Sequence, residues 1–114
     1  MRSDARSFLH DIVESCQLVQ QFTAGRTMQE YERDRLLQSA CERQLEIVGE
    51  AMTRLRDRHS EVFDEVPQGV GIIGLRNRLI HGYDAVDSQI VWDVITGKLP
   101  ELQMLAARLL EAMR

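Results

Sequence analysis

The amino-acid sequence predicts an all-α protein, an up-and-down bundle of four or five helices built around two long antiparallel helices. Apolar residues recur at intervals of three and four along most of the chain, the spacing that buries one face of a helix. The 114 residues include only two prolines and seven glycines, so few turn residues are available for a many-stranded sheet. This length suits one modest core, and we predict a single helical domain over residues 1–114.

Two long helices form the predicted frame. The first covers residues 3–23 and ends near Gly25. Thr27 and Glu30 have the spacing of a capping box, in which each side chain binds a free amide at the start of a helix. A second helix therefore begins there, and because no proline interrupts its apolar stripe we predict that it continues to about Arg58.

Gly49 lies in the middle of the second predicted helix. Glycine costs about 1 kcal/mol relative to alanine at such a position. The cost is tolerable if another part of the backbone approaches closely, either within the subunit or across a dimer. The alternative is that Gly49 has no structural role.

The rest of the chain is divided by its turn residues. Residues 59–69 have no sustained period and are predicted to be a connection. A third helix follows over about residues 70–80. Asp87 or Ser88 can cap a fourth helix, and Pro100 fits the first turn of a fifth.

Cysteine use and hydropathy exclude several classes of protein. Cys16 and Cys41 lie far apart, and neither has a cysteine or histidine at metal-ligand spacing, so we expect two reduced core thiols and no metal or cofactor. Residues 1–6 contain no apolar signal segment, and no run approaches the roughly 20 apolar residues of a membrane helix. We therefore expect a cytoplasmic protein with no membrane partner.

The acidic charge balance limits how the protein could bind nucleic acid. The formal net charge is -4 and the pI is about 5.3, whereas proteins that coat nucleic acid are usually basic. Any contact with a nucleic acid must therefore be local.

Arg76 is placed unusually for an arginine. A helical projection puts it in the middle of the apolar face of the third helix, while Arg78 projects away from that face. A guanidinium stays charged, so Arg76 either meets a carboxylate or lines a cleft for an anion. The candidate carboxylates for a purely structural ion pair stand one turn apart on the second helix: Glu42, Glu46 and Glu50.

His81 stands at the end of the same predicted helix as Arg76. The free carbonyl groups there favour the imidazolium, which suits proton transfer at cellular pH. Asn77 lies one turn before His81 and could orient its ring, and Tyr83 places a phenol beside the imidazole. Two simpler roles stay open: His81 could only cap the helix, and Tyr83 could only pack at its end.

The run RNRLIHGY, residues 76–83, resembles the R-x4-H-x-Y signature of the HepT-like toxins in the HEPN superfamily. The surroundings agree with this resemblance. Residues 42–51 are similar to that family's helix-two motif, and residues 86–87 and 90–93 are similar to its segment after the signature. The resemblance covers essentially the whole chain.

The resemblance implies a metal-independent endoribonuclease that acts as a homodimer on RNA, with two copies of the signature in one cleft. His81 would move a proton to or from the 2′-hydroxyl or the leaving oxygen, Arg76 would stabilise the phosphorane, and Asn77 would orient one of them. The product would be a 2′,3′-cyclic phosphate. Two copies each of Arg76 and Arg78 would bind RNA as a local basic groove on an acidic protein.

The resemblance also implies a partner. HepT-like toxins pair with an MntA-like nucleotidyltransferase antitoxin, in a type II-like toxin-antitoxin system, that transfers AMP to the tyrosine of the signature, here Tyr83. Each AMP adds negative charge and bulk beside the catalytic pair, which repels RNA phosphate and fills the cleft.

Two other functions remain open from the sequence. One is a HEPN dimer that does not cut and only binds RNA, a nucleotide or its partner protein. The other is a purely structural helical dimer in which Arg76 is the ion-pair partner of the glutamates on the second helix. A buried Arg76 far from His81 would favour the structural role.

Overall fold

The computed structural model describes residues 2–81 and 86–113. Over these two ranges the regular structure is helical with no strand, which confirms the all-α prediction. The elements in chain order are α1 (Arg2–Thr23), α2 (Met28–Arg33), α3 (Arg35–Arg58), α4 (Ser60–Phe63), α5 (Gly69–His81), α6 (Ser88–Asp93), a π-helical segment (Val94–Lys98) and α7 (Leu99–Ala112).

The long helices α1 and α3 form the antiparallel frame that the sequence predicts. Asp4, at the start of α1, lies 4.0 Å from Arg58, at the end of α3. The rings of Phe8 and His59 lie 6.4 Å apart at the same end of the pair. Helix α5 packs on α3 and α7 packs on α1, so most of the core lies between these four helices, and α2 and α6 add Tyr31 and Val91 to it.

Helix α1 buries a single stripe, as its sequence period requires. The residues on this stripe are almost fully buried: Ala5, Leu9, Ile12, Cys16 and Val19. Gly25 follows the helix with φ +74, a left-handed conformation that glycine adopts without steric cost. The predicted end of the first helix is therefore confirmed.

The second predicted helix is not continuous, and this is a correction. The capping box of Thr27 and Glu30 is present and begins α2. The helix stops at Asp34, whose φ of -109 and ψ of 95 are extended, and α3 begins after it. The Asp34 side chain accepts a hydrogen bond from the Leu37 N–H at 2.9 Å, so it caps the new helix. This bond, with help from the Arg26 guanidinium, holds the pKa of Asp34 below its ordinary value of 3.8.

The break at Asp34 allows α2 to leave the line of α3 and pack elsewhere. Tyr31 on α2 is fully buried, and its ring lies 5.3 Å from the ring of Trp92 on α6. Burial of a large apolar side chain stabilises by about 1.5–3 kcal/mol, and the cap at Asp34 replaces part of the hydrogen bonding that the break removes. Packing therefore overrides the continuous helical pattern of the sequence.

The fourth and fifth predicted helices are joined rather than separate. Asp87 caps α6 by accepting from the Gln89 N–H at 2.8 Å, as predicted. The π-helical segment then carries the chain directly into α7, and Pro100 lies in the first turn of α7, where its missing N–H is tolerated. The predicted connection over residues 59–69 contains the short helix α4.

Both cysteines are core thiols, as predicted. Cys16 and Cys41 are buried and not joined in a disulfide. Burial raises the pKa of the Cys16 thiol to about 12, and burial aided by the nearby Glu42 raises that of Cys41 to about 11. Both thiols therefore stay protonated and unreactive at neutral pH. No helix within the described ranges is long and apolar enough to cross a membrane.

Candidate active site

Helices α3 and α5 approach each other closely at Gly49. A Cβ atom added to this buried glycine would collide with Cβ of Arg76, would lie 2.6 Å from its Cγ, and would lie 3.4 Å from the Ile72 carbonyl oxygen. Only a hydrogen at Gly49 leaves room for α5 at this distance. The predicted close approach is confirmed, and it occurs within the subunit.

The Arg76 guanidinium is held by two acceptors from two different helices. Its Nη2 donates to Oε2 of Glu50 on α3 at 2.6 Å. Its Nη1 donates to Oδ1 of Asn77, the next residue on α5, at 3.0 Å. A guanidinium has five N–H donors, so three of them have no partner among residues 2–81 and 86–113. The Arg76 side chain is 23% exposed, so these donors are not sealed beneath the bundle.

Of the three candidate glutamates on the second predicted helix, Glu50 is the one that pairs with Arg76. Its other oxygen, Oε1, forms an ion pair with Nη2 of Arg54 at 3.0 Å. Glu46 instead lies 3.5 Å from Arg43. Burial, aided by the charge of Glu46, raises the pKa of Glu42. The predicted alternative of an ion pair for Arg76 is therefore realised with Glu50, but at the surface of the bundle.

A groove of about 280 Å³ lies beside this cluster, between α1, α3 and α5. Its charged walls carry three arginines, Arg43, Arg54 and Arg76. Three carboxylates balance them: Asp11, Glu46 and Glu50. Sequence reasoning missed Arg54, although its spacing of four residues from Glu50 on one helix is a signal that could have found it.

His81 is the last residue of α5 and is exposed. It follows Arg76 by five positions on α5, which places the two side chains about 140° apart around the helix axis, and His81 is not among the residues that line the groove. Asn77 and Arg78 are also exposed. Within the described chain Asn77 Oδ1 accepts a hydrogen bond from Arg76 and has none with His81. The predicted role of Asn77 in orienting one of these two groups stays a prediction. Tyr83 lies outside the described residues.

The chemical capacity of the cluster follows from its groups. Arg76 is a fixed cation with N–H donors that have no partner among the described residues, so it can bind an anion. His81, further along α5, is an exposed imidazole, which can move a proton. Among the described residues, no group of three or more histidines, cysteines or acids could hold a metal ion.

Comparison with known proteins gives the family. The model of the HepT-like ribonucleases matches residues 12–109, which includes α3, α5 and the whole signature. The chain belongs to the HepT-like ribonuclease family. None of the solved structures matches this HepT-like chain significantly.

Named relatives of this HepT-like chain agree. A candidate RNase of Methanocaldococcus jannaschii is 35% identical over 87% of this chain and 81% of the relative. A candidate RNase of Caldanaerobacter subterraneus is 32% identical over 93% of this chain and 94% of the relative. A probable ribonuclease HepT of Thermococcus cleftensis is 29% identical over 90% of this chain and 93% of the relative.

Proposed function

We propose that this protein is a metal-independent endoribonuclease, the toxin of a type II-like toxin-antitoxin system, that acts as a homodimer. The observation that carries the proposal is the Arg76 guanidinium, which Glu50 and Asn77 fix while three of its N–H donors have no partner among the described residues, five positions before the exposed His81. Membership of the HepT-like ribonuclease family supports RNA as the substrate.

The proposed reaction is a transesterification within the RNA. The 2′-oxygen attacks the adjacent phosphorus and loses its proton, the bond from phosphorus to the 5′-oxygen breaks, and that oxygen gains a proton. His81 moves one of these protons. The spare donors of Arg76 stabilise the charge on the equatorial oxygens of the phosphorane. The products are a 2′,3′-cyclic phosphate and a 5′-hydroxyl.

A dimer reconciles RNA binding with the acidic charge of the chain. Two copies each of Arg76 and Arg78, brought to one cleft, make a local positive field although the net charge of each subunit is -4. Local charge close to a phosphate matters more than net charge, because salt screens distant groups over about 8 Å. Arg78, whose side chain is exposed, would contribute to RNA binding.

The first test is cleavage by the purified protein in EDTA. We expect a labelled RNA to be cut to fragments ending in 2′,3′-cyclic phosphate, because the nucleophile is the substrate's own hydroxyl and no metal-bound water takes part. End-group analysis of the fragments measures this. RNA that is bound but recovered intact would contradict the proposal and favour a non-catalytic binding module. Fragments ending in 3′-hydroxyl would contradict the mechanism.

We propose further that an MntA-like nucleotidyltransferase antitoxin silences the enzyme by transferring AMP from ATP to the hydroxyl of Tyr83, with release of pyrophosphate. Each AMP would place a phosphate charge two residues from His81. We expect protein coexpressed with such a transferase to gain mass in AMP units, to lose RNA cleavage, and to carry the mass on the peptide containing Tyr83. Tyr83→Phe removes the acceptor hydroxyl, so this variant should gain no mass and should still cleave RNA when it is coexpressed with the transferase. Modification of Tyr31, which is fully buried, or an unchanged mass would contradict this.

A further inference from the structure

We propose that Glu50 and Arg54 are positioning residues for Arg76. In this arrangement Glu50 fixes the Arg76 guanidinium. Arg54 binds the second oxygen of Glu50, so that Glu50 accepts a hydrogen bond from only one N–H donor of Arg76. The inference rests on the proposed ribonuclease function, since it assigns how the cation of that site is held ready for a phosphate.

Glu50 is the contact that ties Arg76 to the rest of the bundle. The bond of 2.6 Å joins residues 26 positions apart and links α5 to α3. The other acceptor, Asn77, is exposed and lies on the same helix as Arg76, so it cannot fix the guanidinium relative to α3. Ionised partners make short and strong hydrogen bonds. Without Glu50, the long arginine side chain would regain several rotamers.

Arg54 determines how Glu50 binds Arg76. A carboxylate and a guanidinium commonly pair through two parallel hydrogen bonds. Here one carboxylate oxygen forms an ion pair with Arg54 at 3.0 Å, and the other accepts a hydrogen bond from Arg76 at 2.6 Å. Each arginine therefore contacts a different oxygen of the Glu50 carboxylate. If Arg54 were absent, both oxygens of Glu50 could accept hydrogen bonds from Arg76. One more N–H donor of Arg76 would then be bound to Glu50 and could not bind a phosphate.

A purely electrostatic role for Glu50 makes the opposite prediction. A carboxylate beside an anion site repels phosphate, so its removal alone should strengthen RNA binding and leave cleavage unchanged or faster. A positioning role requires slower cleavage, because a guanidinium displaced by about 1 Å can cost about 100-fold in rate. The two roles therefore differ in the sign of the effect on cleavage.

The experiment compares Glu50→Gln with Glu46→Gln. Glu46 is the matched control, since it lies one turn earlier on α3, also pairs with an arginine and has a side chain that is 28% exposed. We expect the single-turnover rate constant to fall about 100-fold in Glu50→Gln. It should stay within about twofold of wild type in Glu46→Gln. Affinity for an uncleavable 2′-O-methyl RNA of the same sequence should not fall in either variant.

Arg54→Gln tests the second half of the inference. We expect its rate constant to fall about tenfold, equivalent to one hydrogen bond to the transition state. Nitrogen-15 NMR of the arginine side chains provides a measurement that does not need activity. Restricted rotation of the Arg76 guanidinium should persist in wild type, Glu46→Gln and Arg54→Gln, and disappear in Glu50→Gln.

The outcomes separate this inference from the proposed function. A wild-type protein that does not cut RNA refutes the ribonuclease, while the NMR comparison still decides whether Glu50 holds Arg76. If wild type cuts and Glu50→Gln cuts as fast or faster, the positioning role is wrong. A slower Glu50→Gln whose Arg76 signal is unchanged, or whose thermal midpoint falls below the assay temperature, also overturns it. An Arg54→Gln variant as fast as wild type removes Arg54 from the arrangement.

Discussion

Arg76→Ala is expected to lower the RNA-cleavage rate constant by about 100- to 1,000-fold, the usual loss when one donor to a developing oxyanion is removed. The substitution removes the three N–H donors that have no partner among the described residues, and in this part of the chain it leaves Arg54 as the remaining partner of the Glu50 carboxylate. Arg76→Lys should not restore the rate, because an ammonium cannot reproduce the planar fork that binds Glu50 and Asn77 while facing a phosphate. Single-turnover kinetics in EDTA measure both variants.

His81→Ala belongs to the same prediction, with an expected loss of about 100- to 10,000-fold for a group that transfers a proton. Exposed residues of the same type are the controls. Arg56 on α3 pairs with its neighbour Asp57 at 3.0 Å, and His10 on α1 has a side chain that is 64% exposed. Alanine at either position should leave cleavage unchanged. Equal cleavage by wild type, Arg76→Ala and His81→Ala would mean that a contaminant cuts the RNA.

Gly49→Ala should destabilise the protein by about 1–3 kcal/mol, although alanine is the better helix former. The new methyl group would collide with Cβ of Arg76. Because a Cβ is attached directly to the backbone, no rotamer change relieves the collision, so α5 has to move away from α3. That movement also separates Arg76 from Glu50. Cleavage should therefore fall together with stability, measured by denaturant unfolding and by the single-turnover rate.

Gly74→Ala is the matched control for this prediction. Gly74 also lies inside a helix, on α5, but a Cβ there would meet nothing within 4 Å. We expect this variant to be more stable by up to about 1 kcal/mol, the difference in helix propensity. A stabilised Gly49→Ala variant with normal cleavage would show that α3 and α5 can separate freely, which would contradict the packing described above.

The sequence by itself determined the local features. The capping box of Thr27 and Glu30 and the cap at Asp87 depend on residues two or three positions apart, so spacing was enough to find them. The apolar period similarly gave the buried face of α1. The placement of Arg76 on the apolar face of its helix predicted an acid or an anion as its partner, and the structure gives the acid Glu50. The resemblance of residues 76–83 then supplied the family, which the comparisons confirm.

Only the tertiary structure decided the features that depend on how two helices lie against each other. Period gives the face of a helix that is buried but not its axial offset from a neighbour, so it could not choose Glu50 from three glutamates on one helix. The break at Asp34 was also hidden, because it is stabilised by the packing of Tyr31 against Trp92, far along the chain. Gly49 fixes the offset by letting α5 approach, and that contact brings Glu50 within reach of Arg76.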